Sequence, residues 1–358
     1  MKKKTLLSML LAGAMTLSLA ACGGGGTTPS AAPTEPPAES AAASAEAAPV
    51  SYEPATVRVA YMPNLGSAAS LFTAIEQGYF EDVGITVEPY EFQGGPAEIA
   101  AMGSGDIDVA QIGHGAHKLC IQGQALIFEM DQTSLAEAVV GNKSKGVNTA
   151  ADLKGKTVAM STGTSAEIIL KLVLEDAGLT MDDIKPVEMD ANGIVTAMVS
   201  GQVDACATWS PGTITVKNAL KDDYNLLGDN SDFLDRASFP ASFITSQAYA
   251  DANSDVLVRF TAAIERAKVY RAANIDEVAK LLAVKLELPE DTLLQSTAEG
   301  DWQGAVDCEG DIDTIKTYYK AQQKVFLDSG LVETAVPVED YILFDVMKDG
   351  NALAATQK

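Results

Sequence analysis

An eight-residue motif occurs twice in this chain of 358 residues, and this repetition is the strongest constraint on its fold. The first copy, AMGSGDID, spans 101–108, and the second, AMVSGQVD, spans 197–204, with five of eight positions identical. Each copy predicts the end of a helix, a glycine turn and a strand that opens at Asp. The spacing is too long for a solenoid repeat. We therefore interpret the copies as equivalent parts of two similar α/β lobes.

The segment from residue 56 onward alternates between strand-like and helix-like patterns. Alternating apolar residues predict strands at 56–61, 85–92 and 107–112, and apolar residues at helical spacing lie between them. Such alternation predicts an α/β fold with mainly parallel sheets. Open α/β sheets bind ligands beyond the carboxyl ends of their strands, which the two copies place near Gly113 and Trp209. Two such edges that face each other would form a ligand cleft.

The N-terminus carries the features of an export signal. Lysines at 2–4 precede an uncharged apolar run at 6–19, and Leu-Ala-Ala precedes Cys22. This ending resembles the bacterial lipobox, which is cut before its cysteine. We therefore expect a lipoprotein signal peptide at 1–21 and a lipid on Cys22, with a plain signal peptide as the alternative. The apolar run is too short to remain as a membrane-spanning helix.

A low-complexity segment follows the cysteine. Residues 23–49 contain only Gly, Thr, Pro, Ser, Ala and Glu, a composition that cannot bury enough apolar surface to fold. Residues 22–54 are therefore predicted to be a lipidated cysteine with a disordered tether. The expected location is the outer face of the bacterial cytoplasmic membrane, with membrane contact through the lipid only.

The charge of the chain excludes one class of partner. The formal net charge is -24, and removal of the three lysines of the signal changes it to about -27. Such an excess of acidic groups excludes nucleic acid or an anionic membrane surface as the partner. The acidic residues are scattered, so the plain interpretation is solubility.

The remaining cysteines and the histidines predict no cofactor and no metal site. Cys120, Cys206 and Cys308 lie far apart without CxxC spacing, so we expect buried free thiols. His114 and His117 are the only histidines, and no supporting ligand motif surrounds them. We interpret them as incidental residues at the start of a helix.

Several segments together resemble one protein family. They are the two motif copies, the DLKGK segment at 152–156, the Gly163-Thr164-Ser165 loop, the Trp209-Ser210-Pro211 turn and the EDVGITV tract at 81–87. In order and spacing, over about 56–345, the chain resembles the solute-binding proteins of ABC importers with the type 2 periplasmic-binding fold. It is most similar to the group for nitrate, aliphatic sulfonates, taurine and thiamine-pyrimidine precursors.

The resemblance implies two lobes and a ligand cleft. The first lobe would comprise 55–142 and 243–358, and the second 143–242, with crossing strands at 138–142 and 242–246. A small solute would bind between the open lobes, which then close. The monomeric closed form would dock on an ABC permease served by its ATPase.

The cleft implied by the resemblance would be lined by five segments and one further residue. The candidate contacts are Asn64, Leu65, Gln93, Gly94, Gly113, His114, Thr162, Thr164, Ser165, Asn192 and Trp209. The turn at 63–67 is equally compatible with an ordinary strand–helix connection. At 93–95 a ligand contact is favoured over a plain glycine turn, because Gln93 offers both a donor and an acceptor. Glycines on both sides of His114 should leave its ring accessible. Trp209 suits stacking on a ligand, or otherwise belongs to the core. Asn192, with Asp190, would otherwise cap the next helix.

The loop at 162–165 bears on the charge of the solute. It opens a helix, whose free N–H groups favour an anion. However, Thr164 to Glu167 also fits a capping box, which satisfies those donors internally, and the Glu167 carboxylate would repel an anion. A neutral or cationic solute is therefore more plausible than the resemblance alone implies.

We expect a binding protein rather than an enzyme. The alternatives are an enzyme on the same fold, related to thiamine-pyrimidine synthesis, and a ligand-sensing lipoprotein. The fungal thiamine-pyrimidine synthases carry a CCCxC motif, and this chain has no paired cysteines. The sequence also contains no HExxH, no Gly-x-Ser-x-Gly elbow and no glycine-rich nucleotide loop. A sensor would normally carry a transmembrane or signalling segment, and no second apolar stretch of the sequence is long enough to span a membrane.

Overall fold

Two β-sheets organise the part of the chain that the computed structural model describes, residues 52–308 and 310–357. The first part alternates strands with helices around a parallel core. Its elements are β1 (Ala55–Tyr61), α1 (Leu65–Glu76), α2 (Tyr79–Asp82), β2 (Ile85–Glu91), α3 (Gly95–Ser104), β3 (Val109–Ile112), α4 (His117–Ile121) and β4 (Leu126–Ser134). The predicted strands and the helices between them are confirmed here to within two residues at each strand end.

The middle part repeats this alternation in a second sheet. Its elements are β5 (Glu137–Asn142), β6 (Thr157–Met160), α5 (Ser165–Asp176), β7 (Lys185–Glu188), α6 (Ala191–Val199), β8 (Ala205–Trp209), α7 (Gly212–Leu220) and β9 (Tyr224–Asp229).

The last part is mostly helical. Its elements are β10 (Pro240–Thr245), α8 (Gln247–Ala252), α9 (Ser254–Ala273), α10 (Ile275–Lys285), α11 (Glu290–Gln295), β11 (Gly300–Asp301), α12 (Trp302–Asp307), α13 (Ile312–Asp328) and α14 (Phe344–Ala354). Within the described residues, the search for a helix long and apolar enough to span a membrane finds none.

The two sheets share one strand pattern, which confirms the predicted two-lobed α/β fold. The first sheet has the order β11-β4-β10-β3-β1-β2, and the second has the order β7-β6-β8-β5-β9. In each sheet three strands run parallel and a crossing strand, β10 or β5, runs antiparallel to its neighbours. Each sheet is therefore mixed, and the chain passes from one lobe to the other twice.

The positions of the crossing strands bear on the lobe boundaries. Strand β5 pairs with β8 and β9, so its residues belong to the second sheet. Strand β10 pairs with β3 and β4 of the first sheet. The division at 142 and 243 stays a prediction, and this pairing favours boundaries before residue 137 and before residue 240.

The repeated motif forms the same structure in both lobes. Gly105 and Gly201 adopt φ values of +81° and +70°, a region that favours glycine, and each ends a helix. The motif aspartates then join two neighbouring strands. The Arg58 N–H donates to Asp108 Oδ2 and the Thr157 N–H donates to Asp204 Oδ2, both at 2.9 Å. The motif is thus a device that fixes strand pairing.

Helix α13 contacts both lobes. Its Tyr319 hydroxyl lies 2.6 Å from Ser242 Oγ in the first sheet. Its buried face joins one apolar cluster with residues of α5, including Ile168 and Leu172. The last described part of the chain therefore holds the two lobes side by side.

Candidate functional site

A partly open cavity lies where the loops that follow the strands of both sheets meet. Its volume is about 50 Å³, which admits only a few water-sized groups. Residues of both lobes and of the segment 296–302 surround it. They are Met62, Asn64, Leu65, Gly66, Ser67, Gly95, Gln111, Gly113, Ala116, Gln132, Ser134, Ala136, Glu137, Thr164, Ser165, Trp209, Ser210, Ala241, Ser296, Glu299 and Trp302.

The turn between β1 and α1 forms one wall of the cavity. Asn64 Oδ1 accepts a hydrogen bond from the Ser67 N–H at 2.8 Å and so caps α1. Ser67 Oγ in turn accepts from the Met62 N–H at 2.9 Å. Asn64 therefore serves as an ordinary helix cap and also lines the cavity, so both interpretations of this turn apply.

The first turn of α5 forms the opposite wall, and the capping box predicted there does not form. The Thr164 hydroxyl donates to the Ser161 carbonyl at 2.7 Å instead of accepting from the helix. Glu167 reaches back to the Gly163 N–H at 2.7 Å and pairs with Lys118 Nζ at 3.1 Å. Burial alone would raise the pKa of Glu167, but these two groups and Lys171 outweigh burial and lower it. An ionised carboxylate therefore occupies the helix terminus.

The two lobes touch backbone to backbone beside this turn. A Cβ on Gly115 would lie 2.1 Å from the carbonyl carbon of Thr164, a distance that only glycine avoids. Farther out, Asn192 Nδ2 donates to Gln93 Oε1 at 3.2 Å. Together with the Lys118–Glu167 pair, these contacts hold the lobes closed over the cavity.

Two glutamates supply the charge of the cavity. Ser134 Oγ donates to Glu137 Oε2 at 2.8 Å, and His114 Nε2 lies 3.6 Å from the same oxygen. Burial alone would raise the pKa of Glu137, but the charge of His114 and the nearby hydroxyl groups outweigh burial and lower it. Among the described residues, the lining contains these carboxylates of Glu137 and Glu299 and no lysine, arginine or histidine.

Glu299 titrates in a different range from Glu137. Burial raises the pKa of Glu299 to about 7, against the lowering effect of hydrogen bonds from Ser210 and Ser296. The negative charge of Glu137 adds to the rise. One carboxylate of the cavity is therefore ionised throughout the neutral range, and the other gains or loses its proton within it.

Two glutamines present amide oxygens in the lining. Gln111 Nε2 donates to Asp131 Oδ2 at 3.0 Å and to the Gly66 carbonyl at 3.3 Å. Because both partners are acceptors, the orientation of the Gln111 amide is fixed, with Oε1 on its other side. Oε1 of Gln111 and Oε1 of Gln132 are buried without a hydrogen-bond partner. The wall of the cavity therefore contains two amide oxygens that have no hydrogen-bond donor in this closed form.

Two tryptophans complete the lining. Trp209 ends β8 and is half-buried against the core, so it is both a core and a lining residue. Trp302 Nε1 donates to the Thr297 carbonyl at 2.7 Å, and the Arg271 guanidinium lies 4.9 Å from the Trp302 ring centre. The second indole is therefore held in place from outside the cavity.

The structure brings six of the predicted contact residues together around the cavity: Asn64, Leu65, Gly113, Thr164, Ser165 and Trp209. Gln93 and Asn192 bond to each other at an exposed position, and Gly94 lies beside Thr164. The exposed Thr162 bonds to Glu188. Asp190 caps α6 through the Gly193 N–H, as the alternative interpretation expected. A direct ligand contact stays a prediction for every one of the candidate residues.

The expectation of an accessible His114 ring is wrong. His114 is fully buried and lies 4.9 Å from the Phe239 ring, because its loop folds inward beneath Glu137. His117 is also buried, and its Nδ1 lies 2.9 Å from Gln322 Oε1; burial lowers the pKa of His117 to about 3.

The prediction of buried free thiols is confirmed for Cys120, Cys206 and Cys308. Cys22 lies outside the described residues.

Most polar residues of the cavity lining were not predicted from the sequence. The missed residues include Gln111, Gln132, Glu137, Ser210, Glu299 and Trp302. Gln111 and Gln132 could have been recognised as candidates, since each is a polar residue in a strand that is otherwise buried. Glu299 could not have been recognised, because no local sequence pattern in the helical last part distinguishes it.

Two closed α/β lobes over a polar cavity define the architecture of a periplasmic binding protein, and comparison with known proteins agrees. Residues 66–277 match the family described as NMT1/THI5 like. A Brucella abortus protein named as a binding protein is 30% identical over 304 residues, covering 81% of this chain and 90% of its own length. The taurine-binding periplasmic protein of Escherichia coli is 22% identical over 82% of this chain and 88% of its own length. The chain belongs to the NMT1/THI5-like family.

Solved structures show the same fold. The alkanesulfonate-binding protein SsuA of Xanthomonas axonopodis, bound to MOPS, superposes with a TM-score of 0.65 at 23% identity over 82% of this chain and 99% of its own. The nitrate-binding protein NrtA of Synechocystis superposes with a TM-score of 0.71 at 14% identity, and the match covers 84% of this chain and 89% of NrtA. The desulfurization enzyme DSZB superposes with a TM-score of 0.62 at 16% identity, and the match covers 83% of this chain and 99% of DSZB. The same fold therefore also occurs in an enzyme.

Proposed function

We propose that this chain is the extracytoplasmic solute-binding component of an ABC importer. It captures one small solute between its lobes and delivers it to a membrane permease served by an ATPase. The observation that carries this proposal is the cavity between the lobes, to which both lobes contribute side chains. Family membership and the names of its relatives support the same function.

Lobe closure is the proposed mechanism of capture. A ligand favours a closed form only when it binds that form more tightly than the open one. Asn64 and Gln111 face the cavity from one lobe, and Trp209 and Ser165 face it from the other. A solute that touches both sets gains its full contacts only when the lobes are closed. Closure also forms the Lys118–Glu167 pair, which lies beside the cavity.

The proposed location follows from the N-terminal sequence. A lipid on Cys22 and a tether at 22–54 would keep a monomeric binding domain close to its permease. Replacement of Cys22 by Ser should release active protein into the medium and lower uptake of the solute by cells. Membrane-bound protein in cells that carry this variant would contradict the lipid anchor.

Binding without conversion is tested directly on the full-length chain. A thermal-shift screen covers sulfonates, nitrate, taurine, pyrimidines and amines, and each compound that binds is then incubated with the protein and analysed for products. A ligand at 100 times its Kd should stabilise the protein by about 2.7 kcal/mol. Catalytic turnover of the bound compound would show an enzyme and overturn the proposed function.

The closure step has its own test in Gly115→Ala. The added Cβ would meet the Thr164 backbone at 2.1 Å, and backbone atoms cannot move aside as a flexible side chain does. We expect the affinity for the solute found in the screen to fall at least 100-fold, and X-ray scattering to show no compaction when that solute is added.

Gly103→Ala is the matched control for this test, because nothing lies within 4 Å of a Cβ at that site. It should bind and compact like the original chain. If Gly115→Ala bound and compacted normally while folded, the Gly115–Thr164 contact would not be part of closure.

A further inference from the structure

We propose that the solute is a small organic cation that carries N–H groups, a protonated amine or amidine, held by the carboxylates of Glu137 and Glu299 and by the amide oxygens of Gln111 and Gln132. This inference rests on the proposed function and names the chemical class of the ligand. It differs from the sulfonates and nitrate after which several similar proteins are named, and the structure gives independent reasons for the difference.

The first reason is the sign of the charge around the cavity. An enclosed anion needs a cation or a set of convergent donors. The described lining residues supply two carboxylates and no cationic side chain. The buried guanidinium of Arg271 lies behind the Trp302 ring and is already paired with Asp131 at 2.7 Å. An anion in this cavity would therefore meet two carboxylates, of which Glu137 has a histidine ring beside it.

The second reason is the type of hydrogen-bonding atom left over. Three side-chain atoms of the described lining residues are buried without a partner: Gln111 Oε1, Gln132 Oε1 and Glu299 Oε2. All three are oxygens that accept hydrogen bonds. Gln111 Oε1 is the best defined of them, because the two acceptors bound by Nε2 fix the orientation of its amide. A ligand with N–H groups could supply the missing donor.

The third reason is the state of the α5 terminus, where an anion would otherwise bind. Glu167 accepts from the Gly163 N–H, and Glu188 accepts from the Thr162 N–H at 3.0 Å. Both carboxylates occupy donors of the loop that leads into α5. A further anion at this terminus would lie beside these two carboxylates.

The tryptophans suit a cation with an apolar body. Trp209 and Trp302 line the cavity together with the carboxylates. Aromatic faces attract a desolvated cation and cover the carbon atoms of an amine.

Binding should depend on pH through Glu299. Its pKa of about 7 reflects burial and the Glu137 charge, against Ser210, Ser296 and Lys217 of α7. Glu137 stays ionised, with His114 behind it. A cation binds the ionised form of Glu299 more tightly, so a proton competes with it below pH 7. Affinity for the cation should fall towards low pH by up to tenfold per unit and level off above about 7.

Calorimetry on the full-length chain tests this inference with matched compounds. A series of small alkylamines and amidines is titrated beside the alkanesulfonates and the neutral amides of the same chain lengths. We expect binding by a member of the cationic series only, with net proton release at pH 6 and little at pH 8.

Two variants locate the effect. Glu299→Gln keeps the shape of the side chain and removes its charge, and it should weaken binding of the cation at pH 8 at least tenfold and abolish the pH dependence. Glu290→Gln is the control, because Glu290 is exposed at the start of α11. It should leave the affinity unchanged, and urea unfolding establishes that both variants are folded.

The outcomes separate the inference from the function on which it rests. Binding of a sulfonate or nitrate, tightened by Glu299→Gln, would overturn the cationic class and leave the solute-binding function intact. Conversion of a bound amine would overturn the binding function. Binding of a cation that is equally tight in Glu299→Gln would place it outside this cavity and overturn the inference.

Discussion

The two lobes share a strand order but differ in how their outer strands are covered. Strands β4 and β9 occupy equivalent places beside the crossing strands. In the first lobe, β4 is buried beneath α9, whereas β9 is an edge strand with Leu226 46% exposed. The repeated motif, in contrast, forms the same structure in both. The shared sequence therefore builds the sheets, and the unshared parts build the surroundings of the cavity.

Buried ion pairs are the clearest of these unshared features. Arg271 of α9 pairs with Asp131 of β4 at 2.7 Å, and both side chains are fully buried. Lys268, one turn earlier, pairs with Glu129 at 2.8 Å and with Glu265 at 3.0 Å. Burial alone would lower the pKa of Lys268, but the two carboxylates raise it. These charged groups connect the covering helix to the strand that ends at the cavity.

The largest expected effect comes from breaking this connection with Asp131→Asn. The change leaves the Arg271 charge buried without a counter-charge, which costs about 3–5 kcal/mol of unfolding free energy. Urea unfolding measures the loss. Asp222→Asn, an exposed position in the second lobe, is the control and should change stability by less than about 0.5 kcal/mol. A loss below about 1 kcal/mol for Asp131→Asn would show that the pair contributes little.

A smaller effect should distinguish the two motif aspartates. Asp108 accepts from the Arg58 N–H and also pairs with the Arg58 guanidinium at 2.6 Å, whereas Asp204 accepts from the Thr157 N–H. We expect Asp204→Ala to cost about 1–2 kcal/mol for the lost charge-assisted bond. Asp108→Ala should cost up to about 1 kcal/mol more, because the Arg58 side chain is one-third exposed.

Measuring both aspartate variants at low and high salt separates the ion pair from the backbone hydrogen bond. The excess cost of Asp108→Ala should shrink in 1 M salt, since screening weakens the partly exposed ion pair. The backbone bond is common to both lobes and should be insensitive to salt. Equal costs for the two variants at low salt would mean that the Arg58 pair adds nothing.

Local patterns in the sequence were sufficient to predict the framework. The motif copies, the strand alternation near Val57 and the helical spacing around Leu71 all depend on neighbouring residues, and the structure confirms the two-lobed α/β fold. Six lining residues were also predictable, because they follow strand ends such as those of β3 and β8.

The charge of the cavity was not predictable from local patterns. Glu137 and Glu299 are far apart in sequence, and only the return of the chain through the last helical part brings them to one cavity. The prediction of an accessible His114 ring was wrong for a similar reason, since the burial of His114 depends on contacts with Phe239 and α13. Glu167 occupies the helix terminus as predicted, but it accepts from the Gly163 N–H, and Thr164 does not complete the predicted capping box.

The smallest expected effect concerns the position at which the first motif copy has glycine and the second has valine. Gly103 lies in the last turn of α3, where the second copy has the exposed Val199, and a Cβ at Gly103 meets nothing within 4 Å. Gly103→Ala should therefore stabilise the protein by about 0.5–1 kcal/mol, because alanine loses less backbone entropy in a helix. Urea unfolding measures the gain, and affinity for the solute should not change. The reverse exchange, Val199→Gly, should cost a similar amount. Destabilisation by Gly103→Ala would show that this helix end needs glycine and that the two copies are less equivalent than their hydrogen bonds indicate.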